Sequence, residues 1–287
     1  MDTADTWVQE ISARETTVPD VTISLVGFAQ EADAQNLANI LRGFLIFFGK
    51  LMNLSSLSRV WVSYDYENTL LSLNRGAEIQ TKLTPTQDDV AVGIAMTPAV
   101  IEDGVVKSVM VFNANYLMAL IQPENEEIQP VYKQMLYTVA HECGHVHDLG
   151  MMVRSFPHTW LKMRLSHYDE ALFQAAEGCW SEYIASRLSA IMCPAELTSN
   201  YETTFCEQVE KGLPAIRTSI RQYRMHHDLT RVLSECSYVV KRLFLYAGYL
   251  LGQLDGCDMS FADSTPKAAS LLVSYPELRK NGRRDPP

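Results

Sequence analysis

The stretch Val139-Ala140-His141-Glu142-Cys143-Gly144-His145-Val146-His147-Asp148-Leu149-Gly150 decides how this chain is read. It continues an apolar helical pattern (Val131, Met135, Leu136, Val139, Ala140), and the spacing predicts one helix over Glu126–Leu149. Acids at its start complement the helix dipole, and Gly150 is expected as the stop after its last turn. On such a helix His141 and His145 stand at i and i+4, one above the other. Both imidazoles can then reach one Zn²⁺ at ~2.0–2.1 Å. Glu142 lies too far round to reach that ion easily and is placed to take a proton from water that the ion acidifies. The plainer alternative is a helix with two surface histidines and a glutamate. The apolar turns before the motif and the small Cys143 and Gly144, which let another element come close, argue against it.

Two histidines leave a catalytic zinc one protein ligand short. The extended form H-E-x-x-H-x-x-G-x-x-H fails, because Asp148 stands at its glycine and Met151 at its last histidine. An aspartate ligand has no recognisable motif here. The remaining source is a glutamate on a second helix expected over Tyr168–Met192, which carries Glu170, Glu177 and Glu182. On that helix Leu172, Phe173, Ala176, Trp180, Tyr183, Ile184 and Ile191 form one broad apolar face. A narrow stripe of small residues (Ala175, Cys179, Glu182, Ser186) could approach Gly144 closely, and helical phase favours Glu182 over Glu177. Asp148, at i+3 from His145, could support an imidazole from behind. Tyr183, Tyr223, His226 and His227 are weaker candidates for stabilising an oxyanion.

Upstream, Glu31–Lys50 has helical spacing, while Arg59–Tyr66, Val90–Met96 and Val105–Asn113 read as strands, the last two separated by an Asp103-Gly104 turn. Gly76–Asp89 and the segment around Pro157 read as loops. Downstream, Tyr201–His227 and Arg231–Leu254 are expected as helices, interrupted at Gly212-Leu213-Pro214 and ended near Gly256. The expectation is an α+β fold: a small, mostly antiparallel sheet packed on the His141/His145 helix, then a helical C-terminal part. The boundary is expected in Cys193–Asn200, giving domains 1–195 and 196–287, unless the last helices pack as part of the first.

These residues resemble a known family, the ImmA/IrrE-like group of compact gluzincin-type zincins. The likeness covers roughly residues 30 to 195. The family's second helix reads E-x-x-A-N-x-(apolar)-A, then a short apolar run and a proline. This chain has Glu182-Tyr183-Ile184-Ala185-Ser186-Arg187-Leu188-Ser189, then Ala190-Ile191-Met192-Cys193-Pro194, with Ser186 at the asparagine. The resemblance implies a zinc metallopeptidase with one Zn²⁺ per chain held by His141, His145 and Glu182, and Glu142 as general base. Its substrate would be a protein or peptide, by analogy an intracellular regulatory protein. In the family the strand before the active-site helix is an edge that docks substrate. Ser108, Val109, Met110, Val111, Phe112 and Asn113 hold that place here. Two other functions are compatible with the motif: a peptidase-like binding protein that does not cut, against which Glu142 argues, and a zinc amidohydrolase acting on a small substrate.

Composition bounds the rest. The chain of 287 residues has 47% hydrophobic and 20% charged residues and a net charge of −10, so phosphate backbones repel it and nucleic acid is not an expected partner. The basic cluster Arg279–Lys280, Arg283–Arg284 reads as a terminal tail. The first residues carry acids and no apolar signal core. The most apolar stretches, Gly43–Gly49 and Leu243–Leu254, are shorter than the ~20 residues needed to span a bilayer, so no membrane partner is expected. Six cysteines without a Cys-x-x-Cys pair suit reduced, buried thiols and a cytoplasmic location.

Overall fold

A computed structural model describes residues 3–76, 83, 85, 93–156, 165–192 and 197–275. The chain divides into two compact units, Met1–Met163 and Arg164–Pro287. The division therefore precedes the Glu182 helix rather than falling near residue 195. The reason is packing: that helix makes its main contacts within the C-terminal unit. The fold is α+β, mostly helical with one small sheet. Among the described residues no helix is long and apolar enough to cross a membrane.

The first unit is built around strand Val105–Asn113, whose near-continuous apolar run suits a strand buried on both faces. Naming strands in chain order, β1 is Thr22–Val26, β2 Leu57–Ser63, β3 Ala95–Met96, β4 Ala99–Glu102 and β5 Val105–Asn113. The order is β1-β2-β5-β3, with β4 also on β5. The β1/β2 and β2/β5 pairs are parallel, and β3 and β4 run antiparallel to β5. The sheet is thus mixed, which corrects the expectation of a mostly antiparallel one. β1 was not anticipated; it pairs in parallel with β2 through a helical crossover, which leaves no hairpin signal in sequence. The Asp103-Gly104 turn is as expected, although the strand it joins to β5 is β4, which was not anticipated: Asp103 (φ 52°) and Gly104 (φ 75°) both adopt the left-handed conformation that such turns require.

Strand β5 is also not the free edge that would dock a substrate. Ser108–Asn113 pairs with β2 on one side and with β3 and β4 on the other. Further backbone bonds run from Val109 N to Pro98 O (3.1 Å) and from Asn113 N to Ile94 O (2.9 Å). Residues 90–92 of the expected second strand, most of the Gly76–Asp89 loop, Pro157, Cys193 and the basic tail lie outside the described residues.

Side chains alternate across β5. Val109 and Val111 join Val100, Tyr66 and Leu70 in one buried cluster, Tyr66 and Leu70 coming from helix α3 (Tyr66–Ser72). Met110 and Phe112, level with Val60 and Val62 of β2, point to the opposite face and are fully buried. Before α3 come α1 (Thr3–Ala13), which the polar start of the chain did not suggest, and α2 (Glu31–Leu51). Helix α2 buries Leu37, Leu41, Leu45 and Phe48 at helical spacing. Arg59 on β2 reaches over β5 to pair with Glu102 on β4. Burial pushes the Glu102 carboxyl up, but Arg59, Lys107 and Ser58 outweigh it and hold it below its ordinary range.

After the short α4 (Ala114–Leu117) comes α5, Gln129–Ser155. It passes through Gly150 rather than stopping there. Gly150 serves a close approach instead: a Cβ at that position would lie 3.3 Å from Ser56 Oγ.

In the second unit α6 is His167–Ser189, α7 Leu197–His226 and α8 Leu229–Gly256; α9 (Phe261–Ser264) and α10 (Pro266–Ser274) close it. Helix α7 runs through Gly212-Leu213-Pro214 without a break. The buried Glu202 caps α10, its Oε1 accepting from Lys267 N (2.7 Å) and Ala268 N (3.0 Å). The α6/α8 pair meets backbone to backbone. A Cβ on Gly248 would lie 2.3 Å from the Cys179 carbonyl oxygen, and one on Gly252 would lie 2.2 Å from that of Tyr183. The broad apolar face assigned to α6 from sequence is therefore not its packed face, and Leu172, Trp180 and Ile191 are exposed.

Gly252→Ala tests this contact. The clash is with backbone, which cannot rotate away, so the pair must separate at a cost of about 1–3 kcal/mol. Gly178→Ala, whose nearest neighbour is Leu245 Cδ1 at 3.8 Å, should instead be neutral or stabilising by up to ~1 kcal/mol. Urea unfolding of the two variants measures the difference.

Candidate metal and proton-transfer site

Helix α5 carries the motif into the core. Its turns Met135, Val139, Ala140, Cys143 and Val146 are buried, and His141 and Glu142 are buried with them. The loop between α2 and β2 fixes the rotation of this helix. Asn53 N–H donates to His147 Nδ1 at 2.8 Å, and Ser56 Oγ donates to the Val146 carbonyl at 3.1 Å. His147 is therefore a structural acceptor. Burial pushes its pKa down, with the charge of Asp148 opposing and that of Arg154 assisting.

So oriented, the His141 and His145 rings lie 4.7 Å apart between centroids and are nearly perpendicular, at 85°. Tyr137, one turn earlier, sets its ring 5.9 Å from that of His141. Glu182 lies on α6. One ligand atom from each of His141, His145 and Glu182 falls within 4.8 Å of the other two, so the three could hold a metal ion. Neither Glu170 nor Glu177 belongs to that group. Two imidazole nitrogens and a carboxylate oxygen form a donor set that suits zinc and leaves its fourth position open.

Glu142 points elsewhere on the helix and has its own partner. Thr97 Oγ1, just past β3, donates to Glu142 Oε2 at 2.6 Å. This bond satisfies one oxygen of a carboxylate only 6% exposed. The tyrosine at the head of α3 stands in the same neighbourhood: burial first, and then the charge of Glu142, push the Tyr66 hydroxyl above its ordinary pKa. That hydroxyl is buried and makes no hydrogen bond among the described residues. Cys143 is raised by the same two causes in the same order, so it remains a thiol and not a thiolate ligand.

Sequence reasoning missed Thr97 and Tyr66. Thr97-Pro98 reads only as the end of a strand and Tyr66 as part of one, and nothing local reports a contact 45 residues away. Of the other expected residues, Asp148 is buried on α5 beside His147. The Tyr183 hydroxyl is engaged, donating to Asp255 Oδ2 at 2.6 Å. Tyr223, His226 and His227 sit at the end of α7.

Thr97→Val removes the donor while keeping the shape. It should destabilise the protein by about 1–3 kcal/mol, because a buried carboxylate loses its partner, and Thr97→Ser should recover most of the loss. Unfolding midpoints in urea at neutral pH read both.

No protein-family model matches this chain, and neither a curated protein nor a solved structure does.

Proposed function

We propose that this protein is a zinc-dependent metallopeptidase, similar to the ImmA/IrrE-like group, that hydrolyses a peptide bond in a cytoplasmic protein. The observation that carries the reading is the convergence of His141, His145 and Glu182 within 4.8 Å, with a buried, oriented carboxylate next to the first histidine.

In this reading His141, His145 and Glu182 hold one zinc ion. When bound, the ion supplies a Lewis acid that polarises a carbonyl and lowers the pKa of water towards ~7. The chain's own residues do the rest. Thr97 holds Glu142 Oε2, so Oε1 is the oxygen left to receive the proton of the attacking water. Glu142 then passes that proton to the departing amine. The tight Thr97 contact limits the carboxylate to one rotamer, which keeps the proton acceptor in place through both transfers. Substrate docking by β-augmentation would fall to the segment carrying β3, because both flanks of β5 are occupied.

Purified without chelator, the wild type should carry about one zinc per chain, and His141→Ala/His145→Ala should carry almost none. A metal-free wild type would end this reading. Glu182→Ala should weaken zinc binding about 10-fold or more and Glu177→Ala should not. With peptides from a whole-cell digest as substrates, Glu142→Gln should keep its zinc and lose at least about 100-fold in cleavage.

A further inference from the structure

The hairpin formed by the end of α7 and the start of α8 differs from the rest of the chain in charge and in what it exposes. Between Glu210 and Glu235 stand Lys211, Arg217, Arg221, Arg224 and Arg231 against a single acid, Asp228, in a protein of net charge −10. The Asp228 carboxylate is already used: it accepts from Arg231 N at 3.0 Å as the cap of α8. Lys211 and Arg231 pair within their own helices with Glu207 and Glu235. Arg221 and Arg224 are exposed and have no carboxylate partner among the described residues. Around them Met225 is 84% exposed, Ile220 and Leu229 each 55% and Leu233 50%.

This end of the hairpin stands clear of α6. The contacts Gly248 with Cys179, Gly252 with Tyr183 and Gly256 with Arg187 share one parallel register. Continued backwards, that register places the first turn of α6 beside Cys236, so α8 runs on for about two turns, roughly 10 Å, without it. The feature is thus a convex tip of two helices, not a groove. Met225 and Leu229 flank the turn, whose own residues His227 and Asp228 are also exposed, Asp228 being the cap of α8. Exposed apolar side chains with arginines beside and behind them match the layered chemistry of a bilayer surface, acyl boundary inside and phosphates outside, because the long arginine stems let the charge reach back to the headgroups. The ~10 Å of free hairpin is also comparable to the 5–10 Å over which interfacial helices bury.

We propose that the α7/α8 tip docks this protein on the surface of an anionic phospholipid membrane, with Met225 and Leu229 entering the headgroup boundary and Arg221 and Arg224 meeting lipid phosphates. The sequence expectation of no membrane partner rested on the lack of a spanning segment, and a surface contact needs none. The net negative charge of the remainder repels such a membrane, so the tip sets the orientation of approach.

Co-sedimentation of the full-length protein with vesicles tests the proposal and does not depend on the metal site. Binding to phosphatidylcholine vesicles containing about one-third phosphatidylglycerol should exceed binding to phosphatidylcholine alone by about 10-fold or more, and should fall as salt rises. Met225→Asp/Leu229→Asp and Arg221→Glu/Arg224→Glu should each lose about 10-fold or more in binding, with circular dichroism unchanged because all four positions are exposed. Failure to bind anionic vesicles overturns the proposal, as does wild-type binding by both double variants. Loss in the charge variant alone also overturns it, since the tip would then be a site for a soluble polyanion or an acidic protein.

Discussion

The hydrogen bonds that clamp α5 set the directions in which His141, Glu142 and His145 point. Neighbouring positions on a helix differ by about 100°, so a slip of one residue would turn both imidazoles and the carboxylate away together. Two separate segments prevent it. The loop before β2 holds Val146 and His147 through Ser56 and Asn53, and the segment after β3 holds Glu142 through Thr97. Each neutral bond contributes only about 1 kcal/mol net. Their value lies in position, since each acts within about a turn of His145 and none uses the imidazoles of His141 and His145.

Burying Glu142 has consequences for the residues around it. A carboxylate in an apolar wall costs several kcal/mol unless it is hydrogen-bonded, and the short contact from Thr97 offsets part of that. The same charge acts on its neighbours. Together with burial it keeps the Cys143 thiol protonated, which removes the one sulfur inside the motif from the donor set. It acts likewise on Tyr66, leaving a neutral hydroxyl in the cluster behind Glu142. The donors that remain in the His141, His145 and Glu182 group are two nitrogens and an oxygen.

Much of this was legible in sequence where the signal was local. The i, i+4 histidines, the helix that carries them, α2 and the Asp103-Gly104 hairpin all depend on residues close together in the chain, and each stands where expected. Helical phase favoured Glu182 over Glu177 without deciding between them, and Glu182 is the one found in the candidate group. Sheet topology was not legible, because parallel pairing of β1 with β2 is decided by packing between distant segments and marks neither strand. Thr97 was hidden for the same reason. The unbroken helix through Pro214 and the continuation through Gly150 are cases in which tertiary contacts override local stop signals.

Helix α6 shows why hydrophobic size can mislead. Its large side chains lie on one stripe, and the usual inference buries that stripe. The α6/α8 pair is organised by absence instead: Gly248 and Gly252 let the helices approach until side-chain space disappears, and among the described residues of α6 only small ones such as Ala175, Ala185 and Ser186 are buried. Dispersion between closely matched backbones replaces interlocking of long side chains. The large residues are displaced outwards, so Leu172 and Trp180 on α6 and Phe244 on α8 are exposed. In a glycine-seamed pair, then, an exposed aromatic is a result of how the seam is made and does not by itself mark a binding surface. The α7/α8 tip is different because its apolar residues lie past the end of that seam, beside the exposed Arg221 and Arg224.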